Sequence, residues 1–497
     1  MSKKTKASSA PSQTIDPHTW ARAYLNKCAG GAGKPSTLHY YQGQFHRWDG
    51  SHYHVVSNNQ FRAEVTQAMH EYSAEQAAGI GGVPVKITKS FVSNIIQALA
   101  GLTLVDEQID LPVWLEPKGN RNASFLSMEN GLVDFDGLLN GLPITVKKPS
   151  PYWFSPVSLP YAFDPDAKCP QWRDFLNEVL ERDEERVHLL QEWFGYCLTR
   201  NTGEQKFIFM EGEGRNGKGV VCQILTDVLG EENVSNVPLE AFGDKFQLAT
   251  TIGKLLNIST EAVDLPRSAE TTLKALTGGD RMYFDLKNLT GVNVHPSARF
   301  LFTGNNRPKF QDRTDGVWRR LILMPFRINI TEEKMDKQLV EKLRTELPGI
   351  LNWAVEGERR RRKQGGFTKS KVGLDALMDY QHEMNPARVF LTDHVEADPT
   401  GEVLCLDIYK TYKGWCEEAG KKPLDDTAFG KEITRKFGKT VTRKRKSSGK
   451  PRPYYYEGIR LLGSDSQSED QARMELLGFP WNPATEGGPT DLPVSVS

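Results

Sequence analysis

The fold is decided by residues 207–229, which read FIFMEGEGRNGKGVVCQILTDVL. The apolar run 207–210 predicts a short buried strand, and the spacing of apolar residues over 220–229 predicts a helix that ends at Gly230. Between them lies the pattern G-x-x-x-x-G-K, with Lys218 as its lysine. A strand, a glycine-rich loop and a helix in this order predict a nucleotide-binding α/β domain.

The loop has the chemistry of a phosphate-binding site. Its glycines allow backbone N–H groups to turn toward phosphate oxygens, and the start of the following helix adds its positive end. We expect Lys218 to reach the β- and γ-phosphates of ATP; an incidental glycine-rich turn is the alternative. Where a Ser or Thr usually holds Mg²⁺ the chain has Gly219, so the metal must rely on phosphate oxygens, waters and an acid elsewhere. The predicted ATP-binding residues are Gly212, Glu213, Gly214, Arg215, Asn216, Gly217, Lys218, Gly219 and Val220.

Further apolar segments at 255–260, 299–303 and 321–324 alternate with helical stretches, which predicts a three-layer α/β core. Glu261 follows the first segment and is the candidate acid that orients Mg²⁺ and polarises the attacking water. Asp264 is a weaker candidate. The alternative for Glu261 is a surface carboxylate at a strand end.

Polar residues at the other two segments complete the candidate catalytic set. Asn305 follows the second segment and is placed to sense the γ-phosphate, unless it only forms an Asx turn before Pro308. Arg319 and Arg320 precede the third segment. One of them could act as an arginine finger on a neighbouring subunit's γ-phosphate, or form a structural ion pair.

Four motifs in this order resemble those of superfamily 3 helicases: GEGRNGKG (212–219), LTGGDR (276–281), FTGNNRP (302–308) and GVWRRL (316–321). The chain resembles the phage and plasmid primase–helicase family, related to the poxvirus primase-helicase, over roughly residues 105–460. Upstream, LSMENGLVD (126–134) and GYCLT (195–199) resemble that family's domain before the ATPase. The resemblance implies an AAA+-like ATPase that tolerates Gly219 and forms a hexameric ring. It also implies movement along single-stranded DNA, generally 3′→5′, and favours Arg319 as the finger.

Two regions are candidates for DNA binding. Residues 282–294 predict a β-hairpin, and the resemblance places Lys287 and Asn288 at its DNA-gripping tip. From 421 to 460 the chain has 13 Lys and Arg against four Asp and Glu. A helix followed by a basic hairpin predicts a winged-helix-like module that contacts phosphates. Its candidate residues are Lys431, Arg435, Arg443, Lys444, Arg445 and Lys446. Both regions could instead be solvated surface, which is the interpretation we favour for the basic run 359–363.

Bulk composition bounds these interpretations. The 497 residues carry 63 Lys and Arg against 63 Asp and Glu, so the total charge does not indicate a nucleic-acid partner. The six cysteines show no metal or redox spacing, and no apolar stretch approaches the ~20 residues of a membrane span, which predicts a cytoplasmic protein. We expect a disordered start (1–13), an α-rich N-terminal region (14–104), a pre-helicase domain (105–200), the ATPase domain (201–365), the winged-helix-like module (387–462) and a disordered tail (463–497).

Together these features predict an ATP- and Mg²⁺-dependent DNA helicase for replication of a phage, plasmid or other mobile element. Its partners would be single-stranded and forked DNA, further copies of itself and, as a further candidate, a separate primase or replication initiator. A primer-making primase–helicase is one alternative, although residues before 104 show no D-x-D or zinc cluster. A non-catalytic DNA-binding initiator or regulator is the other.

Overall fold

The glycine-rich loop follows the strand Phe207–Glu211, which lies next to one edge strand of a five-stranded parallel sheet. The structure is a computed structural model, and it describes residues 16–31, 33–80, 84–116, 124–260, 265–286, 291–310, 315–446 and 452–462. It divides into two units, Met1–Leu377 and Met378–Ser497. The first unit contains the sheet and the loop.

The first unit begins with an antiparallel three-stranded sheet and three helices, followed by short strand pairs and two longer helices. Its elements before the parallel sheet are α1 (Pro17–Cys28), β1 (Leu38–Tyr41), β2 (Gln44–Trp48), β3 (Tyr53–Val56), α2 (Asn58–Ile80), α3 (Lys89–Leu102), β4 (Val113–Trp114), β5 (Phe125–Met128), β6 (Gly131–Asp134), α4 (Phe135–Leu139), β7 (Trp153–Phe154), α5 (Pro170–Val179) and α6 (Glu184–Cys197).

The parallel sheet has the strand order β14-β8-β13-β10-β9. Its elements and those that follow it are β8 (Phe207–Glu211), α7 (Lys218–Leu229), β9 (Val234–Ser235), α8 (Lys245–Leu248), β10 (Leu256–Thr260), α9 (Arg267–Gly278), β11 (Met282–Phe284), β12 (Val292–Val294), β13 (Arg299–Gly304), α10 (Asp315–Trp318), β14 (Leu321–Pro325), α11 (Leu339–Arg344), α12 (Leu347–Gln364) and α13 (Lys371–Met384).

Both faces of the sheet are buried, as the continuous apolar strands require. On one face Ile208 and Met210 join a core that includes the apolar stripe of α7. On the other face Phe207 packs edge-on against Phe302 of β13, with ring centroids 5.8 Å apart. Phe242, in the 3₁₀ segment Leu239–Gly243, packs against Phe302 as well, and this segment contacts α9. Mixed α/β layering around a parallel sheet is therefore confirmed.

The charged stretch 332–361 has a pattern that predicts one helical segment, but in the structure it is divided. It contains a short 3₁₀ turn (Glu332–Lys334), then α11 and α12 as separate helices. Pro348 lies in the first turn of α12. A proline lacks the N–H that a helix interior needs, so a new helix begins there instead of α11 continuing.

The interpretation of the basic run 359–363 as solvated surface is wrong for its central residues. Arg360 Nε donates to Glu192, 2.8 Å away, and the Glu192 side chain is fully buried. Arg361 is 5% exposed, pairs with Glu358 at 2.7 Å and stacks over Tyr196 at 4.9 Å. These contacts join α6 to α12. Buried charges are tolerated when they are paired, as they are here.

The second unit has helices packed on a small antiparallel sheet. Its elements are α14 (Pro386–His394), β15 (Val395–Leu404), α15 (Cys405–Glu418), α16 (Asp426–Phe437), β16 (Thr442–Arg445) and β17 (Tyr454–Leu461), with strand order β15-β17-β16. Tyr412 and Phe429 stack at its centre with ring centroids 4.4 Å apart. No helix in the described part of the chain is long and apolar enough to span a membrane.

Candidate functional site

Two glycines shape the loop after β8. Gly212 has φ +155°, and a Cβ there would lie 2.2 Å from the Phe326 carbonyl oxygen. Gly217 has φ +90° and precedes the first residue of α7. A Cβ on Gly217 would lie 2.7 Å from Val179 Cγ1. Both positions therefore require glycine, for the backbone angle and for the close approach.

Lys218 is the first residue of α7 and is 8% exposed. Its Nζ donates to the carbonyl oxygens of Gly212 and Glu213, the latter at 3.1 Å, and to Asn216 Oδ1 at 3.1 Å. Burial lowers the pKa of this ammonium group from its usual range. The loop thus folds around its own lysine, whose positive charge lies against carbonyl oxygens of the loop.

The loop opens on a cavity of about 910 Å³. Of the predicted ATP-binding residues, Gly214, Arg215, Asn216, Gly217, Lys218, Gly219 and Val220 line it. Gly212 and Glu213 act through their carbonyl oxygens instead, which accept hydrogen bonds from Lys218. Thr260, Thr303 and Asn305 also line the cavity. Thr260 pairs with Thr303, and Gly304 with Glu211, so the carboxyl ends of β10, β13 and β8 meet at this edge.

The structure brings Asn305 to the loop, while the position of the candidate acid stays a prediction. Glu261 directly follows Thr260 in the chain, and it lies outside the described residues together with Asp264. Within the described ranges no group of three or more His, Cys, Asp or Glu side chains is arranged to hold a metal ion.

An ion pair next to the loop was missed by the sequence reasoning. Glu211, the last residue of β8, accepts two hydrogen bonds from Arg307, from Nε at 2.6 Å and from Nη2 at 3.0 Å. Both side chains are 20% exposed. This bidentate pair fixes the turn that carries Asn305 against the strand that carries the loop. The sequence offers one signal for this pair: Glu211 directly precedes the glycine-rich loop, and Arg307 lies within the motif FTGNNRP.

Arg319 and Arg320 lie at the other end of the sheet. Leu321 pairs with Phe207 and Pro325 with Glu211, so the two arginines precede the amino end of β14. A five-residue strand separates them from the cavity, roughly 16 Å. Arg319 is exposed, whereas Arg320 is 9% exposed and donates to the Gly316 carbonyl oxygen at 2.6 Å.

The predicted hairpin is present as the antiparallel pair β11 and β12, with Tyr283 opposite Asn293. Arg281 Nη2 donates to the Asn293 carbonyl oxygen at 3.3 Å, next to the base of the hairpin. Lys287 and Asn288 belong to the connection between the strands and lie outside the described residues.

The basic residues of the second unit divide between two faces of its sheet. Arg443 lies opposite the buried Tyr456, and Arg445 lies opposite Tyr454. Residues opposite each other share a face, so these arginines lie on the same face as Tyr456, and both are exposed. Arg443 stacks over Tyr454 at 4.6 Å.

The lysines of the same strand region are paired with acids. Lys444 lies 2.5 Å from Glu457, and Lys446 lies 2.5 Å from Glu402. On α16, Lys431 is exposed, and Arg435 donates to the buried Glu432. The run 443–446 is therefore not a uniform positive surface.

This division gives a prediction for DNA binding. Replacing Arg443 and Arg445 together with alanine is expected to lower the slope of log affinity against log salt by about 1.8, since each phosphate contact contributes about 0.9. Replacing Lys444 and Lys446 together is the matched control and should change the slope by less, because their carboxylate partners compete with phosphates. Fluorescence anisotropy with duplex DNA over a salt series measures both. Equal effects of the two pairs would contradict the division.

Comparisons with known proteins place similarities in both units. Residues 210–320 match a family model described as a family of unknown function (DUF5906), and residues 385–463 match the RFX DNA-binding domain. The solved apo structures of the NrS-1 C-terminal region include two that are 12% and 14% identical to this chain, with TM-scores of 0.49 and 0.46. Each covers 90% of this chain and 100% of the NrS-1 chain.

Sequence relatives named "putative helicase" come from large DNA viruses. That of Acanthamoeba polyphaga mimivirus is 23% identical over 256 residues, 46% of this chain and 26% of the relative. That of Frog virus 3 (isolate Goorha) is 23% identical over 237 residues, 42% of this chain and 24% of the relative. That of Invertebrate iridescent virus 3 is 21% identical over 340 residues, 60% of this chain and 35% of the relative. The chain thus spans about a quarter to a third of the length of these relatives, and it is similar to viral proteins that bear a helicase name.

Proposed function

We propose that this chain is an ATP-dependent DNA helicase of the superfamily 3 type that serves replication of a phage, plasmid, virus or other mobile element. ATP and water would be converted to ADP and phosphate, and the reaction would drive movement along single-stranded DNA, 3′→5′, in a hexameric ring. The observation that carries the proposal is the cavity at the carboxyl ends of β8, β13 and β10, where a glycine loop, a buried lysine and Asn305 converge.

Each candidate residue has a distinct task in this proposal. Lys218 binds the β- and γ-phosphates, and Asn305 contacts the γ-phosphate. Glu261 orients the attacking water, and Arg319 of a neighbouring subunit stabilises the charge that develops during transfer. Mg²⁺ prefers oxygen ligands. Thr260 and Thr303 line the cavity and Glu261 follows Thr260 in the chain, so the oxygen atoms of these side chains suit the metal. When bound, the metal would neutralise phosphate charge.

Unwinding of forked DNA tests the proposal. A fluorescently labelled duplex with a 3′ single-stranded tail should be separated in the presence of ATP and Mg²⁺. A duplex with only a 5′ tail should stay paired. Separation of the second substrate alone would refute the proposed direction, and separation of neither would refute the helicase function.

The match of residues 385–463 to a DNA-binding family also favours a second candidate, a DNA-binding initiator or regulator without catalysis. The second unit would then carry the function, and the cavity would serve only to fix the fold. DNA binding without nucleotide hydrolysis is the result that this candidate predicts.

The hairpin residues Lys287 and Asn288 should couple hydrolysis to movement. Lys287→Ala is expected to leave DNA-independent hydrolysis near wild type and to remove DNA stimulation and strand displacement. The reason is that a cationic tip holds phosphates without reading sequence. Asn288→Ala should act in the same way more weakly, since it offers a neutral hydrogen bond. Phosphate release and unwinding are measured on one preparation, with the exposed Lys148→Ala as control. Normal unwinding by Lys287→Ala would show that the DNA contact lies elsewhere, and Arg281 would then be the next residue to test.

A further inference from the structure

The cavity continues past the phosphate loop along helix α5. One face of α5 lines it, at positions spaced by three and four residues: Gln171, Asp174, Phe175 and Glu178. Another part of the lining comes from the chain after β14. Its apolar members are Ile330, Met335, Leu339 and Val340, and Asp336 and Lys337 lie between them in the chain. The extension thus combines an acidic edge on α5 with a mostly apolar wall, which is unlike the cationic loop at its other end.

The direction of α5 orders these residues relative to the loop. A Cβ on Gly217 would lie 2.7 Å from Val179 and 3.1 Å from Phe175, so the carboxyl end of α5 touches the phosphate loop. With a rise of ~1.5 Å per residue, Glu178 lies nearest to the loop, Asp174 about 6 Å farther and Gln171 about 10 Å farther. A nucleotide with its phosphates at Lys218 would therefore pass its sugar along Glu178 and Asp174.

Three described acids in or beside the cavity are already engaged. Glu211 pairs with Arg307, Asp336 with Lys342 at 2.6 Å, and Glu346 with the Gln171 backbone and side-chain amides at 3.1 and 3.2 Å. Among the contacts of the described residues, none engages the carboxylates of Asp174 and Glu178, which are exposed. An ionised carboxylate only accepts hydrogen bonds. It therefore repels phosphate oxygens and accepts from hydroxyl groups.

We propose that Asp174 and Glu178 bind the ribose hydroxyls of the nucleotide, and that the site thereby selects ribonucleoside over deoxyribonucleoside triphosphates. This inference rests on the proposed ATPase function and adds the part of the site that reads the sugar. The apolar side chains of Ile330, Met335, Leu339 and Val340 pack against the base. Removal of the 2′-hydroxyl removes a hydrogen bond to a charged acceptor, which is expected to lower kcat/KM about tenfold to a hundredfold.

Steady-state phosphate release with ATP and dATP tests the assignment on the full-length protein. Wild type should prefer ATP, and the double variant Asp174→Asn, Glu178→Gln should lose the preference because its kcat/KM for ATP falls to that for dATP. Glu184→Gln, an exposed acid of α6 that does not line the cavity, is the matched control and should keep the preference. Thermal unfolding of each variant separates loss of recognition from loss of fold.

The outcomes distinguish the two claims. Equal use of ATP and dATP by wild type, or an equal fall for both nucleotides in the double variant, would overturn the ribose assignment while the ATPase proposal stands. Hydrolysis of neither nucleotide by wild type would overturn the ATPase proposal and the ribose assignment with it.

Discussion

Replacing Lys218 with alanine is expected to lower ATP turnover by roughly 10²- to 10³-fold or more, the range found when one preorganised charge-stabilising donor is removed. The ammonium group lies inside the loop, within hydrogen-bonding distance of two loop carbonyls and of Asn216. Phosphate oxygens that enter the loop would take over these hydrogen bonds. Without the lysine, the charge that develops on the β- and γ-phosphates is left uncompensated.

The measurement is steady-state phosphate release beside a thermal unfolding curve. Lys148→Ala is the control, since Lys148 is exposed and does not line the cavity. Lys218→Arg keeps the charge but not the geometry, and it should also be strongly impaired. Near wild-type turnover of Lys218→Ala would contradict the assignment of the cavity as a nucleotide site.

Replacing Arg319 with alanine is expected to reduce ATP turnover by about 10³- to 10⁵-fold, the contribution of arginine fingers in related reactions. This effect requires that two subunits meet at the cavity. Arg319 lies one strand length from the cavity of its own chain, so an action on the γ-phosphate must come from another subunit. Arg320→Ala should act mainly on folding, because that side chain is buried and bonded to Gly316.

Mixing of two inactive variants tests the action between subunits. Arg319→Ala subunits retain a complete loop, and Lys218→Ala subunits retain the finger. Assemblies that contain both should therefore recover part of the hydrolysis. Absence of recovery at every ratio, in assemblies shown to exchange subunits, would contradict the assignment of Arg319.

The centre of the fold could be predicted because its signals are local. The strand 207–211, the loop and the helix 218–229 are each specified by adjacent residues, and apolar strand patterns revealed β10, β13 and β14. The edge strand β9, only Val234–Ser235, has too few residues to show a period. After residue 332 the charged pattern predicts one helix, and Pro348 is the local signal that a second helix begins there.

The parts of the site that sequence reasoning missed depend on contacts between distant segments. Glu211 and Arg307 are 96 residues apart, and only the parallel pairing of β8 with β13 brings them together. Arg360 and Arg361 have the pattern of solvated charges, because two of their partners, Glu192 and Glu204, lie in another part of the chain. The face of α5 that lines the cavity carries no motif at all. In contrast, the position of Asn305 on the cavity could be predicted from its place at a strand end, while its contact with the γ-phosphate stays a prediction.

The most direct measurement of the central claim is phosphate release by the wild-type protein with ATP and Mg²⁺, with and without single-stranded DNA, beside Lys218→Ala. We expect hydrolysis that single-stranded DNA accelerates and that disappears in the variant. DNA binding by a wild-type protein that releases no phosphate under either condition, or release that is the same in Lys218→Ala, would contradict it.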